Sequence, residues 1–282
     1  MADLRTSSYT TKDQNETTAL LAPSFSRFQV LSILEDLPRE ILADIFTITC
    51  HDTLYGFFED KYRYKRTTPF LLGHVCSEWR TVVWSTPEIW SHVALYLTLE
   101  KEDIQVALLE EWLSHSGEYP LTITIELEDD DGWMERIPEK LLRLLCSCAN
   151  RWQSISWTLP ESWYPILKKI KDSFSLLSTM STGILFDHSE GRKQFDLFSR
   201  APALRDVGLL NGFWISDVDL PWNQLIRLTL QRVFIDECLA VLSRTSQLKF
   251  LSLQEVLEGP NLLQDQQIEL QALEHLVINE SP

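Results

Sequence analysis

Five cysteines, six histidines and one dense run of acids are the side chains of this sequence best suited to chemistry, and their spacing decides which chemistry is open to them. Cys146 and Cys148 stand two apart, with no second pair at the distance a tetrahedral zinc site requires, and Cys50-His51 stands alone. The histidines, His51, His74, His92, His115, His188 and His275, form no H-E-x-x-H pair. Neither a G-x-S-x-G nor a G-x-x-x-x-G-K-S/T segment occurs, and nine glycines leave little material for a loop that cradles phosphate. Glu126, Glu128, Asp129, Asp130 and Asp131 match a calcium loop in composition only, because the spaced ligands and the closing Glu are missing. The residues therefore predict no catalytic group, no metal and no cofactor.

Charge narrows the partners. Lys and Arg total 25 against 41 Asp and Glu, a formal net charge of -16, and no basic block is long enough to neutralise a phosphate backbone. This predicts no nucleic-acid partner and no anionic membrane surface. No apolar run approaches the roughly 20 residues that cross a bilayer, and the polar, Thr-rich start lacks the apolar core of a secretory signal. The expected location is cytoplasmic or nuclear. An odd number of cysteines scattered through apolar stretches suits reduced core thiols better than a disulfide framework.

The elements that would position any functional side chain fall into three regions. Residues 1–28 lack an apolar period and are dense in Ser, Thr, Asp and Asn, which predicts a disordered tail. From 29 to 95 short helical patterns are punctuated by proline. Leu37-Pro38, Thr68-Pro69 and Thr86-Pro87 each put Pro where a first turn needs no amide donor, with Thr68 and Thr86 as N-caps. In the first helix Ile41, Ile45 and Ile48 fall at i, i+4 and i+7 beside Leu42 and Phe46, with Arg39, Glu40 and Asp44 on the other side. A second helix is expected to carry Leu72, Val75, Trp79 and Val82 on one stripe, and a short third segment follows around Glu88 to Trp90. The stretch His51 to Thr68 between the first two reads as a solvated loop.

From 96 to 282 helix-like and strand-like segments alternate, which predicts an α/β arrangement. Helices are expected at Glu102 to Ser114, Pro138 to Ala149, Tyr164 to Asp172, Gln194 to Ser199 and Asp236 to Ser243. The strands share the spelling L-x-x-L-x-L: Leu204, Val207, Leu209; Leu225, Leu228, Leu230; Leu248, Leu251, Leu253; Leu273, Leu276, Ile278. Their middle positions are separated by 21, 23 and 25 residues, the spacing of units made of one strand and one return segment. Weaker versions precede them around Ile184 and Phe186, Ile155 and Trp157, Ile123 and Ile125, and Val93 and Leu95. Trp133, Trp157, Trp163, Trp214 and Trp222 are read as fillers of irregular gaps between these units.

These repeats resemble leucine-rich repeats, with one departure. Where that family places Asn or Cys after the motif, this chain has Gly212, Val233, Val256 and Ser281, so no asparagine ladder can form and an irregular solenoid of parallel strands and return helices is expected. The earlier region, LEDLPREILADIFTITC and then TPFLLGHVCSEWRTVVWSTPEIWSHVAL, resembles the F-box, specifically the F-box-like domains abundant in fungi. The elements that carry it are Leu37-Pro38 with Glu40, Ile45-Phe46, Val75-Cys76 followed by Trp79-Arg80, and Trp90; the longer connector is a departure. The resemblance implies a small three-helix domain whose partner is the Skp-type adaptor of a cullin ubiquitin ligase. Carried over, the adaptor-binding residues would be Leu37, Pro38, Ile41, Leu42, Ile45, Val75, Cys76, Trp79 and Trp90.

Three short helices bury too little surface to be robust alone, which independently asks for a partner or for support from the following domain. In L-x-x-L-x-L the leucines point inward, so the alternating side chains face out along the sheet and make the candidate substrate-binding residues: Asp206, Arg227, Thr229, Phe250, Ser252 and His275, with Gly208 and Val277 between them. The sequence thus predicts a non-catalytic F-box-type adaptor that recruits a protein substrate through its repeats. The alternative is a scaffold protein whose F-box-like helices only cap the solenoid.

Overall fold

A computed structural model describes residues 37–51, 68–128, 132–185, 194–211, 213–257 and 268–279. The disordered tail expected at 1–28, most of the connector after His51, and Asp129 to Asp131 of the acidic run lie outside these residues. The chain divides into two units, Met1–Leu42 and Ala43–Pro282. In the first, Pro38 stands just ahead of α1 (Arg39–His51) and its carbonyl accepts from the Leu42 amide at 3.1 Å, starting the helix. Glu40 in the first turn and His51 in the last match the helix dipole.

In the second unit, Pro69 opens α2 (Pro69–Gly73), and the hydroxyl of Thr68 caps it by accepting from the Leu71 amide at 3.3 Å. The expected second helix is in fact two. The chain leaves the helix at His74 and re-enters at α3 (Ser77–Ser85), where the Sγ of Cys76 accepts from the Trp79 amide. Leu72, Val75, Trp79 and Val82 therefore do not share a stripe: Leu72 and Val82 are buried, Trp79 is half-buried and Val75 is exposed. Gly73 explains the break, because a Cβ there would run into the Trp84 ring that α3 lays across it. Thr86 occupies the N-cap position of the 3-10 turn Pro87–Trp90, but its hydroxyl turns back to the Val82 carbonyl at 2.7 Å instead of capping.

The rest of this unit is built on eight strands: β1 (His92–Leu97), β2 (Leu121–Leu127), β3 (Trp152–Pro160), β4 (Thr179–Leu185), β5 (Asp206–Leu209), β6 (Arg227–Gln231), β7 (Phe250–Gln254) and β8 (His275–Asn279). They form one all-parallel sheet whose spatial order is the chain order. Crossovers between parallel strands are almost all of one hand, so a sheet that never reverses its order places its connections on one face. The core lies on the covered face. Val207, Leu228, Leu251 and Leu276 are paired neighbours across β5 to β8, as are Leu209, Leu230, Leu253 and Ile278. The repeat positions read from the sequence are therefore structurally equivalent. Ahead of them, Ile123, Ile155 and Met180 continue the first row, which is buried from β2 to β7, whereas Leu276 and Ile278 on β8 are 54% and 55% exposed.

The connections are less regular than the strands. Helices appear as expected in α4 (Glu102–His115), α6 (Glu139–Ser147) and α8 (Ile235–Leu242), and a short α5 (Gly132–Glu135) is additional. The helix expected at Tyr164 to Asp172 is a single turn, α7 (Tyr164–Leu167), tightening into a 3-10 turn at Lys168–Ile170. None forms at Gln194 to Ser199. Phe195 instead makes a parallel bridge to Val218, and its ring packs against Tyr164, Phe198 and Phe213. Burial of that aromatic outweighs six residues of weak helical preference.

Tryptophans fill the gaps between connections. Trp133, Trp152, Trp157, Trp163 and Trp222 are buried, whereas Trp214 is partly exposed and stacks on Phe234 at 5.3 Å.

Candidate functional site

Two surfaces gather the residues singled out by the sequence. The first is on the amino-terminal helices. In the first unit Leu37 is half-buried, Pro38 is exposed, Ile41 is 46% exposed and Leu42 is buried. In the second unit Phe46 turns inward onto Trp79, with ring centroids 4.7 Å apart, while Ile45 is exposed and Ile48 is 60% exposed. Val75 is 52% exposed, Leu71 and Cys76 are exposed, and Trp79 is half-buried. Ile48 and Leu71 were not among the sequence candidates for this surface. The signal for Ile48 was present in the i+7 spacing; Leu71 becomes exposed because α2 stops at Gly73.

Trp90 has 0% exposure. Its indole nitrogen donates to the Val83 carbonyl at 2.9 Å, and its own carbonyl accepts from the Trp112 indole at 2.8 Å. The rings of Phe70, Trp84, Trp112 and His115 surround it at centroid distances of 5.1, 5.4, 5.4 and 4.6 Å. Trp90 thus joins α2 and α3 to α4 and offers nothing to solvent. Leu42 is buried as well, and both leave the set of side chains a partner can touch directly.

At the end of α1 the His51 ring lies on the His92 ring, centroids 3.5 Å apart, and His51 Nε2 meets the Glu88 carbonyl oxygen at 3.2 Å. Burial pushes His92 down to about 4, helped by the neighbouring His51, and burial also lowers His51.

The second surface is the face of the sheet opposite its core. Side chains alternating with the core leucines stand in rows that cross the strands. The first row runs Thr179, Asp206, Arg227, Phe250, His275, each paired with the next on the adjacent strand. Four of the six substrate candidates lie on it. Arg227 Nε reaches Asp206 Oδ2 at 3.2 Å, and its guanidinium lies 4.3 Å above the Phe250 ring centre. That answers the apolar area an outward Phe would otherwise expose; Phe250 is half-buried under the arginine. Burial raises the Asp206 carboxyl, with Arg227 acting against the rise.

The other two candidates, Thr229 and Ser252, stand on the next row with Thr124, Ser156, Ser181 and Gly208, all small. A third row contains Gln231, Gln254 and Asn279. The sequence candidates stopped at β5; Thr124, Ser156 and Ser181 continue their row and were legible as the alternate residues of weaker strands.

The cysteines do not gather into a site. Burial pushes the thiols of Cys50, Cys146 and Cys238 up to about 11, and that of Cys148 upward, so these thiols are protonated near neutrality. Among the described residues no group of three or more His, Cys, Asp and Glu could hold a metal ion, and no helix is long and apolar enough to cross a membrane. No protein-family model matches the chain, and no curated protein matches it in sequence.

Proposed function

We propose that the chain is a non-catalytic adaptor of the F-box type. Its amino-terminal helices dock a Skp-type adaptor of a cullin ubiquitin ligase, and an irregular leucine-rich-repeat-like solenoid presents a protein substrate. The observation behind this reading is the exposure of aliphatic side chains on helices whose opposite sides are fully used. Ile45, Ile48, Leu71 and Val75 remain in water while Phe46, Leu72, Val82 and Val83 are buried. Buried aliphatic and aromatic anchors dominate the energy of protein interfaces, so such side chains suit an apolar groove on a partner. In the first unit, taken by itself, Pro38 and Ile41 are exposed. Support for a leucine-rich-repeat-like solenoid comes from the equivalent rows of β5 to β8. Where the asparagine would stand, Val233 is buried and Val256 packs against the core, and the chain is held by backbone bonds such as Leu257 N to the Val233 carbonyl at 2.8 Å.

Pull-down of the tagged chain with purified Skp-type adaptor tests the reading. The intact chain is expected to bind, and combined Pro38→Ala, Ile41→Ala, Ile45→Ala and Val75→Ala substitutions to abolish capture. No capture of the intact chain would remove the adaptor role.

One observation favours the scaffold alternative: the aromatic cluster around Trp90 fastens α2 and α3 to α4 as a cap would be fastened. A fragment beginning at Ser91, which keeps all of β1, separates the two readings. It aggregates if the helices chiefly shield the first strand, and stays folded if they are a detachable docking module.

A further inference from the structure

The outer edge of β8 differs from every other strand edge in β5 to β8. Among the described residues no strand pairs with it. Its inner edge is bonded to β7: His275 N donates to the Lys249 carbonyl at 2.9 Å, and the Asn279 carbonyl accepts from Glu255 N at 3.1 Å. In a parallel pair alternate residues bond the same neighbour, so with Leu251 beside Leu276 and Leu253 beside Ile278 it is His275, Val277 and Asn279 whose main chains face β7. The N–H and C=O groups of Leu276 and Ile278 therefore point outward, with no strand to receive them. The side chains of the same two residues occupy positions that are buried on β5, β6 and β7, yet both are open to water on β8, and Ile268, Leu270 and Leu273 ahead of the strand are only partly buried. Proteins commonly blunt such an edge with a charged residue, a proline or a bulge. The segment HLVIN has no Lys, Arg, Asp, Glu or Pro, and its register on β7 is unbroken.

We propose that this edge pairs with the same edge of a second copy of the chain, antiparallel about a two-fold axis at Val277. The strand is complementary to its own reverse, which singles out a second copy over an unrelated strand. Centred on Val277, the pairing sets Leu276 opposite Ile278 of the second copy, Ile278 opposite its Leu276, and His275 and Asn279 opposite each other. In an antiparallel ladder opposed residues alternate between those that exchange two hydrogen bonds and those that exchange none. The two Leu276–Ile278 pairs fall on the bonding positions, so the outward N–H and C=O groups of both copies are satisfied. Val277, whose main chain is committed to β7, meets Val277 at the non-bonding position between them. A register shifted by one residue would set committed groups against free ones. Paired side chains share a face of the sheet, so the Leu276–Ile278 pairs lie on the core side in both copies and each covers the open end of the other's core. Charge agrees with this: two chains of formal net charge -16 meet along a strip without Lys, Arg, Asp or Glu. Area sets the strength. The five residues of β8 make an edge ~17 Å long, short of the ~800 Å² per partner of a stable complex, so the dimer is weak, with a dissociation constant of ~10–100 µM. This association does not depend on adaptor docking.

Sedimentation velocity of the full chain from ~1 to ~500 µM is expected to show a reversible monomer–dimer equilibrium and no larger species, because a two-fold contact closes on itself. Added salt should tighten the dimer by screening two like net charges. Val277→Lys sets two ammonium groups opposite each other and Val277→Glu two carboxylates. Each should weaken the dimer at least ~tenfold at an unchanged melting temperature, because Val277 is exposed. Mixed one to one, the two variants should dimerise again, since Lys meets Glu only at a residue that faces itself. Should either variant fail to fold, hydrogen exchange of the wild-type chain decides: peptides covering 275–279 are expected to exchange more slowly at ~500 µM than at ~1 µM, with β1 to β6 unchanged. A chain monomeric throughout that range, assembly beyond the dimer, loosening by salt, a dimer indifferent to both substitutions, a mixture of folded variants that stays monomeric, or exchange in 275–279 that ignores concentration would overturn the proposal.

Discussion

Two residues hold a backbone conformation that costs them energy. Arg232 and Glu255, each just past the end of a strand, have φ of 55° and 54°, in the left-handed region where a Cβ crowds the following carbonyl. The turn is needed there: Arg232 N donates to the Gln254 carbonyl at 2.9 Å and Glu255 N to the Asn279 carbonyl at 3.1 Å, so the chain leaves β6 and β7 through one left-handed residue each. The ion pair between the two side chains, 3.6 Å long and largely exposed, offsets little. Arg232→Gly and Glu255→Gly are each expected to stabilise the protein by roughly 0.5–1 kcal/mol, read from the denaturant midpoint at unchanged slope. Destabilisation by either substitution would show that the charged side chains matter more than the backbone. At this scale the sequence was informative about direction and silent about partners. Phe250 could be placed outward from L-x-x-L-x-L alone, but the guanidinium of Arg227 above it depends on two strands 23 residues apart falling into register.

Among the elements, the amino-terminal helices depend on one indole. Trp90→Ala removes the centre of the aromatic cluster and the indole hydrogen bond to the Val83 carbonyl, and about 3–5 kcal/mol of stability should be lost, with Skp-adaptor capture falling only in proportion to the unfolded fraction. Ile48→Ala, on the exposed side of α1, is expected to change stability by no more than about 0.5 kcal/mol.

The His51 and His92 contact makes the junction of α1 with β1 sensitive to acid. A histidine whose folded pKa lies below its unfolded value contributes stability that is complete above the unfolded value, near 6.5, and is lost as pH falls toward the folded one. Thermal stability should therefore decline between pH 6.5 and about 4, and His92→Asn should flatten that decline. A profile equally steep in the variant would place the acid-sensitive group elsewhere.

The element boundaries show what the sequence could not convey. Period and proline located α4, α6 and α8 to within two residues and placed α1 after Pro38. They failed at α2 and α3, where the break comes from the fit of Trp84 over Gly73, and at Phe195, where a tertiary aromatic cluster decides the conformation.

For the molecule as a whole, sheet order and parallelism were legible because four evenly spaced strands of one spelling admit few other arrangements. The unequal use of its surfaces was not. Position in a motif does not say which apolar residues become core, and Trp90 and Val75, both motif residues, ended with opposite fates. The exposed aliphatics of the helices and the strand residues facing away from the core are thereby proposed to serve two different partners.

The sharpest check on docking is hydrogen exchange of the full chain, alone and with excess purified Skp-type adaptor. Exchange is expected to slow in peptides covering 37–51 and 71–79, with β4 to β8 unchanged. A complex that protects the sheet face and leaves those helices exchanging freely, or no protection anywhere at saturating adaptor, would refute docking through the helices.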